Sequence, residues 1–317
     1  MNFISEGTEA QRRCDSGSVC KSGTEAQRHR GIEGPGPFAR REPGTVFEGG
    51  FLGIMQDVKR AEIAERCRRM PAAEAKAACK DMAPTRDFFG ALSRPGISLI
   101  AEIKYASPSR GRICNGPAPE EVASGYQQGG VSAISILTEE KYFCGDIAYL
   151  NRVRAVVDLP LLRKDFIIDP YQVYESRLAG ADALLLIKAM LTSGQLSDLT
   201  GLAAELGLAA LVEIHDAAEM EETLACNARL IGINNRDLAS LSVDTGRALE
   251  LADCYRKEKE KLGLVLVAES GYFEHKDIAD LPERGIDAVL IGEALMRAED
   301  NAAAVRNLLG GKPDDQS

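Results

Sequence analysis

Short apolar runs alternate with amphipathic helical stretches along most of the chain. The runs are rich in leucine and β-branched residues, and there are eight of them: 98–104, 132–138, 160–166, 183–187, 209–213, 229–234, 264–270 and 288–292. Nearly all-apolar strands that alternate with helices are typical of parallel strands covered on both faces. Eight such units in succession predict an α/β fold, the (β/α)8 or TIM barrel.

A doubly wound parallel sheet is the structural alternative to this barrel. Such a sheet commonly has about six strands and a glycine-rich dinucleotide-binding fingerprint after the first of them. The chain has eight candidate strands and no G-x-G-x-x-G sequence. The pattern therefore favours the barrel.

The region before the first strand has a different pattern. Residues 1–50 are rich in glycine and poor in aliphatic residues, whereas charged and apolar residues recur at helical spacing after Met55. We interpret the first segment as a disordered leader or as sequence upstream of a true start such as Met55. We expect deletion of residues 1–54 to leave activity intact. The predicted parts are the leader 1–54, the barrel domain 55–310 with an N-terminal helical extension at 55–94, and the tail 311–317.

Composition excludes several classes of protein. The formal net charge is −10 at pH 7, so the chain lacks the basic surface that nucleic-acid binding requires. No apolar run is long enough to span a membrane, and no compact signal-peptide core follows the N-terminus. The eight cysteines show no zinc-ligand spacing, so no metal site is expected. We therefore expect a cytoplasmic protein without a nucleic-acid or membrane partner.

Polar side chains stand at the carboxyl ends of the predicted strands, where (β/α)8 enzymes place their chemistry. They are Glu102, Lys104, Lys164, Glu213, Asn234 and Glu269. Because residues two apart on a strand share a face, Glu102 and Lys104 point the same way. The same parity directs Lys164 and Glu213 inward. Charged groups at such depth are costly unless they are paired or used, and their convergence from five strands favours a site over structural ion pairs.

Three neighbouring residues receive other interpretations. Asp165 should point outward from its strand and serve the fold. His215 is expected to cap the loop or helix after its strand. The role of Lys188, after the run ALLLI, stays open.

A phosphate site is indicated by small residues at the ends of the last two strands. The segments AESGY and IGEALM place Ser270 and Gly271 beside Gly292 and Glu293. Backbone N–H groups can approach an anion closely at such residues. The loops after strands seven and eight are the usual phosphate site of this fold.

Six segments, taken in order, resemble the motifs of the indole-3-glycerol-phosphate synthase family of tryptophan biosynthesis. They are LIAEIKYASPSRG, LRKDFIIDPYQVYESRLAGADALLLI, ALVEIHD, IGINNRDL, VAESGY and VLIGEALM. The resemblance runs from about Met55 to about Leu309. It implies a monomeric carboxy-lyase that closes a ring on a small anionic sugar phosphate, 1-(2-carboxyphenylamino)-1-deoxyribulose 5-phosphate, and needs neither cofactor nor metal.

The resemblance also implies roles for the four catalytic candidates. Lys164 is expected to be the general acid of ring closure, and a lysine can serve in this way if neighbouring cations and burial lower its pKa. Lys104 should engage the substrate carboxylate. Glu102 and Glu213 are the acid–base candidates for dehydration, and the sequence does not divide the two tasks between them.

The remaining candidates are assigned to binding by the same resemblance. Asn234 and Arg236 should orient the substrate, with Glu269 nearby. The residues expected to hold the phosphate or line its pocket are Ser107, Ser270, Gly271, Gly292 and Glu293.

Two other functions are weighed against this one. A sugar-phosphate barrel isomerase would use a Cys or Asp paired with Asp at its strand ends, whereas this chain has Glu-x-Lys and Lys there. A non-catalytic phosphate-binding barrel would be expected to lack one of the strand-end acids or bases, yet all are present. Both functions are therefore disfavoured.

Overall fold

The eight predicted apolar runs form the strands of one closed parallel barrel. A computed structural model describes residues 50–237, 240 and 242–311. In this part of the chain the strands are β1 (Ser98–Ile103), β2 (Ala106–Ser107), β3 (Gly111–Arg112), β4 (Ala133–Leu137), β5 (Leu161–Lys164), β6 (Ala183–Ile187), β7 (Ala209–Ile214), β8 (Leu230–Asn234), β9 (Val265–Glu269) and β10 (Ala288–Ile291). Strands β2 and β3 form a small antiparallel hairpin in the first loop.

The barrel closes through the order β1-β10-β9-β8-β7-β6-β5-β4, with β4 pairing back onto β1. The predicted (β/α)8 barrel is therefore confirmed, and the doubly wound alternative is wrong. Strands β1, β4 and β8 are buried at every residue. Both faces of each strand are apolar because one faces the barrel interior and the other faces the helices.

Helices connect the strands and surround the barrel. They are α1 (Gly50–Arg69), α2 (Ala72–Ala78), α3 (Phe88–Leu92), α4 (Pro119–Gly129), α5 (Ala148–Arg154), α6 (Pro170–Leu178), α7 (Ser193–Glu205), α8 (Ala217–Ala225), α9 (Gly246–Cys254), α10 (Arg256–Leu262), α11 (Glu293–Met296) and α12 (Asn301–Leu308), with 3₁₀ turns at Lys188–Met190 and His275–Asp277. Capping side chains fix several helix starts: Asp169 accepts from the N–H of Tyr171 and Asp216 from the N–H of Glu219.

The predicted N-terminal helical extension is present as α1, α2 and α3. Helix α1 begins at Gly50, ahead of Met55, because Phe51 packs edge-on against Tyr142 and Phe166 of the barrel loops. Lys59, in the middle of this helix, forms an ion pair of 2.9 Å with Asp165, which follows β5. The predictions for residues 1–49 and 312–317 lie outside the described residues.

Among the described residues, no helix is both long and apolar enough to cross a bilayer.

Candidate active site

A cavity of about 900 Å³ opens at the carboxyl ends of the barrel strands. All of the candidates selected from the sequence line it: Glu102, Lys104, Ser107, Lys164, Glu213, Asn234, Arg236, Glu269, Ser270, Gly271, Gly292 and Glu293. The parity prediction for Glu102 and Lys104 is thereby confirmed, since both face the same cavity. Six barrel strands and the loops that follow them contribute these candidates to one site.

Lys164 lies at the centre of the charges in the cavity. Its Nζ donates to Oε2 of Glu213 at 3.1 Å and to Oε2 of Glu269. Lys104 forms a second ion pair with Glu102 at the carboxyl end of β1. The three carboxylates are buried and the two ammonium groups are partly buried, and we call these five residues the central cluster.

The surroundings of Lys164 raise its pKa. Burial alone would lower this pKa, but the carboxylates of Glu269, Glu213 and Glu102 outweigh that effect. The condition that neighbouring cations lower the pKa of Lys164 is therefore not met, because the nearest charges are negative. The ammonium form persists at neutral pH, and it is the form a general acid requires.

Glu269 is the carboxylate of the cluster that binds a proton most readily. Burial raises its pKa to about 7, against the opposing charge of Lys164 and with a further rise from Glu213. Its Oε1 is buried and has no hydrogen-bond partner among the described residues. Gly232 of β8 provides the space, since a Cβ there would overlap this oxygen. Sequence reasoning missed Gly232, although a glycine inside a strand is a known signal of close approach.

Asn234 links the central cluster to the predicted phosphate site. Its Nδ2 donates to Oε1 of Glu213 at 3.1 Å, while its Oδ1 accepts from Oγ of Ser270 and from the N–H of Arg236, both at 3.0 Å. Burial would raise the pKa of Glu213, but Lys164, His215 and Asn234 together lower it. Asn234 therefore fixes the orientation of Glu213 in its ionised form.

The turn after β9 has an unusual backbone conformation. Ser270 and Gly271 both have positive φ angles, 67° and 97°. A Cβ on Gly271 would lie 2.7 Å from Cγ2 of Thr245, so no side chain fits there. Asn235 fixes the turn by donating from Nδ2 to the carbonyl oxygen of Ser270 at 3.0 Å. Backbone strain held in this way is typical of a functional site.

Arginines surround the same corner of the cavity. Oε1 of Glu293 lies 3.4 Å from Nε of Arg110 and 3.1 Å from Nη2 of Arg297. Burial and the charge of Arg110 lower the pKa of Arg236, and Glu293 opposes them. We call Ser107, Ser270, Gly271, Gly292, Arg236 and Arg110 the anion corner, because hydroxyl groups, a backbone turn and guanidinium groups meet there.

An apolar wall faces the anion corner across the barrel. Phe143 follows β4, Phe166 follows β5, and Leu185 and Ile187 belong to β6, while Phe51 reaches the cavity from α1. The rings of Phe143 and Phe166 lie 6.0 Å apart between centroids. Sequence reasoning missed this wall, because an aromatic residue in a loop has no strand parity from which its direction could be read.

Other strand-end residues serve the fold. Glu139 accepts from the N–H groups of Lys141, Tyr142 and Phe143, which fixes the loop that carries Phe143. Asp165 borders the cavity, but its carboxylate is fully buried and bonds Lys59 of α1, in agreement with the predicted structural role. Lys188 does not line the cavity.

Lys188 instead forms local contacts outside the barrel. Its Nζ pairs with Oε2 of Glu222 at 3.0 Å and donates to the carbonyl oxygen of Leu191 at 3.2 Å. Its side chain is 9% exposed, so it is not simply solvated.

The fold and the cavity together define a class of protein. A (β/α)8 barrel with an anion corner, an apolar wall and ionisable side chains between them is an enzyme that moves protons on a phosphorylated substrate with an apolar part. The comparisons with known proteins make the class specific. A model of the indole-3-glycerol phosphate synthase family matches residues 53–308.

Relatives carry the same description over most of the chain. An indole-3-glycerol phosphate synthase of Desulforamulus reducens is 42% identical over 265 residues, which are 83% of this chain and 98% of the relative. One of Rhodopirellula baltica is 44% identical over 262 residues, 81% and 99% of the two chains. One of Carboxydothermus hydrogenoformans is 49% identical over 213 residues, 67% and 79%. The chain belongs to the indole-3-glycerol phosphate synthase family, a family of decarboxylating lyases in tryptophan biosynthesis, and the family predicted from the motifs is confirmed.

Solved structures of low sequence identity share the fold. A 3-hexulose-6-phosphate synthase superposes with a TM-score of 0.53 at 17% identity, over 68% of this chain and 99% of the other. KGPDC from Streptococcus mutans gives a TM-score of 0.52 at 12% identity, over 68% and 96%. These likenesses support the barrel architecture alone.

Proposed function

We propose that the chain converts 1-(2-carboxyphenylamino)-1-deoxyribulose 5-phosphate into indole-3-glycerol phosphate, carbon dioxide and water. One observation carries the proposal: the central cluster lies between an anion corner and an apolar wall, within one cavity. The substrate has the matching order of parts, a phosphate at one end, an aryl ring at the other, and the reacting carbonyl between them. Family membership supports the same reaction.

The topology of the barrel supports one orientation of the substrate. The anion corner is built from the ends of β8, β9, β10 and β1, which are neighbours, and the apolar wall from the ends of β4, β5 and β6 with Phe51 of α1. The phosphate would bind at the first side and the aryl ring at the second, since each finds groups of matching polarity. The carbonyl group then lies within reach of Lys164, at the end of β5.

Lys164 supplies the proton for ring closure. The aryl carbon that bears the carboxylate attacks the ribulose carbonyl carbon, and the carbonyl oxygen takes the proton from Nζ. The bond to the carboxylate then breaks, carbon dioxide leaves, and the electron pair of that bond restores the aromatic ring. Lys104 follows β1 and is paired with Glu102, and it can engage the substrate carboxylate before carbon dioxide leaves.

Dehydration needs two further proton transfers. One proton is delivered to the new hydroxyl group, which leaves as water, and one is removed from the neighbouring CH2 group, which completes the indole double bond. Glu213 and Glu102 are the carboxylates assigned to these transfers. Each of them contacts a lysine, Lys164 and Lys104 respectively, through which protons can be returned.

The setting of the enzyme belongs to the same proposal. A monomeric state remains an expectation from the family resemblance. A cytoplasmic location and the absence of a nucleic-acid partner remain predictions from composition. We expect neither a cofactor nor a metal to take part.

A fluorescence assay for the indole product tests the proposal. The wild-type chain should turn over the carboxyphenylamino substrate in the presence of a chelator, and Lys164→Met should lose about 10²- to 10⁴-fold in kcat. Lys188→Met is the matched control, since it removes a buried strand-end lysine that does not line the cavity, and it should retain most of the activity. No indole product from the wild type, or equal losses in the two variants, would overturn the proposal.

A further inference from the structure

His215 lies between two carboxylates behind the cavity. It follows directly after β7, and its side chain is 14% exposed. Its Nδ1 lies 3.2 Å from Oε2 of Glu219 on α8, and the same oxygen accepts the backbone N–H of His215 at 2.7 Å. The helix is capped by Asp216 rather than by His215 as predicted, and Glu219 in its first turn fixes both the backbone and the imidazole ring of His215.

The other ring nitrogen faces the central cluster. Nε2 of His215 lies 3.6 Å from Oε1 of Glu213, beyond a normal hydrogen bond. It is buried, and it has no partner among the described residues. Oε1 of Glu213 accepts one bond from Asn234, and a carboxylate oxygen has room for a second. A shift of a few tenths of an ångström would complete this bond.

The charge of the central cluster favours an imidazolium at this place. Glu102, Glu213 and Glu269 oppose only Lys104 and Lys164. Burial alone would lower the pKa of His215, but Glu219, Glu213 and Glu269 outweigh burial and raise it. The imidazolium would lie between the carboxylates of Glu213 and Glu219, which stabilise its charge.

We propose that His215, protonated and fixed by Glu219, is a positioning residue that orients Glu213 and keeps it ionised for its proton transfer. The proposal rests on the function proposed above, with Glu213 as the carboxylate that removes the proton in dehydration. His215 is not among the residues that line the cavity, so it acts through Glu213 rather than on the substrate.

The proposal predicts a pH effect of definite sign. The imidazolium stabilises ionised Glu213, so its removal raises the pKa of that carboxyl group. The acid limb of the kcat profile then moves to higher pH. The other charged groups near Glu213 and His215 remain in place in a His215 variant, so the shift reports on His215. Lys164 from β5 and Glu269 from β9 face Glu213, and Glu219 from α8 lies behind the imidazole; the pair of Glu102 and Lys104 belongs to the same cluster.

Kinetics of His215→Gln provide the first test. We expect kcat to fall about tenfold and the acid limb to move upward by about one pH unit, with KM within about twofold of wild type. Glu219→Gln should shift the limb in the same direction. His275→Gln is the matched control, since this ring bonds the carbonyl oxygen of Leu308 far along the chain, and its profile should be that of wild type. An unchanged acid limb in His215→Gln would overturn the inference.

A titration followed by NMR tests the inference without relying on turnover. The chain has only three histidines, so the ring signals of ¹³C-labelled protein can be assigned by single substitutions. The midpoint of His215 should lie above the ordinary value of about 6.5 and fall in both Glu213→Gln and Glu219→Gln. A midpoint unaffected by Glu213→Gln would contradict the contact. If Glu213→Gln itself kept full activity while the midpoint moved, the proposed role of Glu213 would fail and the contact would stand.

Discussion

Two groups of buried charges lie on opposite sides of the end of β5, and they differ in how completely they are partnered. On the outer side, Nη2 of Arg163 and Nζ of Lys59 each lie 2.9 Å from a different oxygen of Asp165. Oγ1 of Thr138 donates to the same carboxylate at 2.7 Å. Burial would raise the pKa of Asp165, but the two cations hold it far below its usual range. This outer network is closed.

The inner group consists of the central cluster and His215, and its buried polar atoms are less completely hydrogen-bonded. Lys164 has two carboxylate partners, yet Oε1 of Glu269 and Nε2 of His215 are buried without a partner among the described residues. A closed network of buried charges fixes packed elements in one arrangement. An open network next to a cavity keeps acceptors and protons available for a ligand. The difference in partnering therefore indicates different functions on the two sides of one strand.

The largest expected effect concerns the inner group. Glu213→Gln keeps the shape of the side chain and its bond to Asn234 but removes the proton acceptor. We expect kcat to fall by about 10²- to 10⁴-fold in the indole assay, with little change in the urea midpoint. Unchanged turnover would remove Glu213 from the mechanism.

The next effect concerns the outer group. Asp165→Asn leaves Arg163 and Lys59 facing a neutral amide. We therefore expect the free energy of unfolding, measured in urea, to fall by about 3 kcal/mol. Well below the unfolding midpoint, kcat should stay close to that of wild type. A stable variant with low kcat would mean that Asp165 takes part in the chemistry.

Truncation at the N-terminus tests the apolar wall. The sequence predicted that removal of residues 1–54 leaves activity intact, whereas Phe51 and Leu52 line the cavity and lead us to expect an effect on substrate binding. We expect this truncation to raise KM about tenfold, consistent with the loss of about 1.5–3 kcal/mol for a buried aromatic side chain. The matched control removes residues 1–49 and should leave KM unchanged. Equal KM values for the two truncations would exclude Phe51 from the binding site.

The smallest effect is a slope in stability against pH. In the unfolded chain Glu269 titrates at about 4.3, whereas in the fold it holds its proton up to about 7. Between these values the folded state binds more protons, so this group makes the unfolding free energy fall as pH rises. Glu269→Gln should flatten that part of the curve, measured by urea unfolding at several pH values. Identical slopes would contradict the raised pKa.

The fold and the position of the site could be predicted from sequence because both depend on local rules. Apolar runs define the strands, and parity at the strand ends places Glu102, Lys104 and Lys164 in one cavity. The sign of the charge around Lys164 could not be predicted, since it depends on which strand ends become neighbours when the barrel closes. The pairing of Lys59 with Asp165 joins two distant parts of the chain, and no local pattern indicates it.

Lys164 and Lys59 provide the most direct test, because they are buried lysines on the two sides of β5. Lys164→Met and Lys59→Met should be measured together for single-turnover formation of the indole product and for the free energy of unfolding. We predict that Lys164→Met loses far more of the turnover rate and that Lys59→Met loses more of the stability. If both variants lost activity and stability in the same proportion, the division between an inner group that serves chemistry and an outer group that serves the fold would be contradicted.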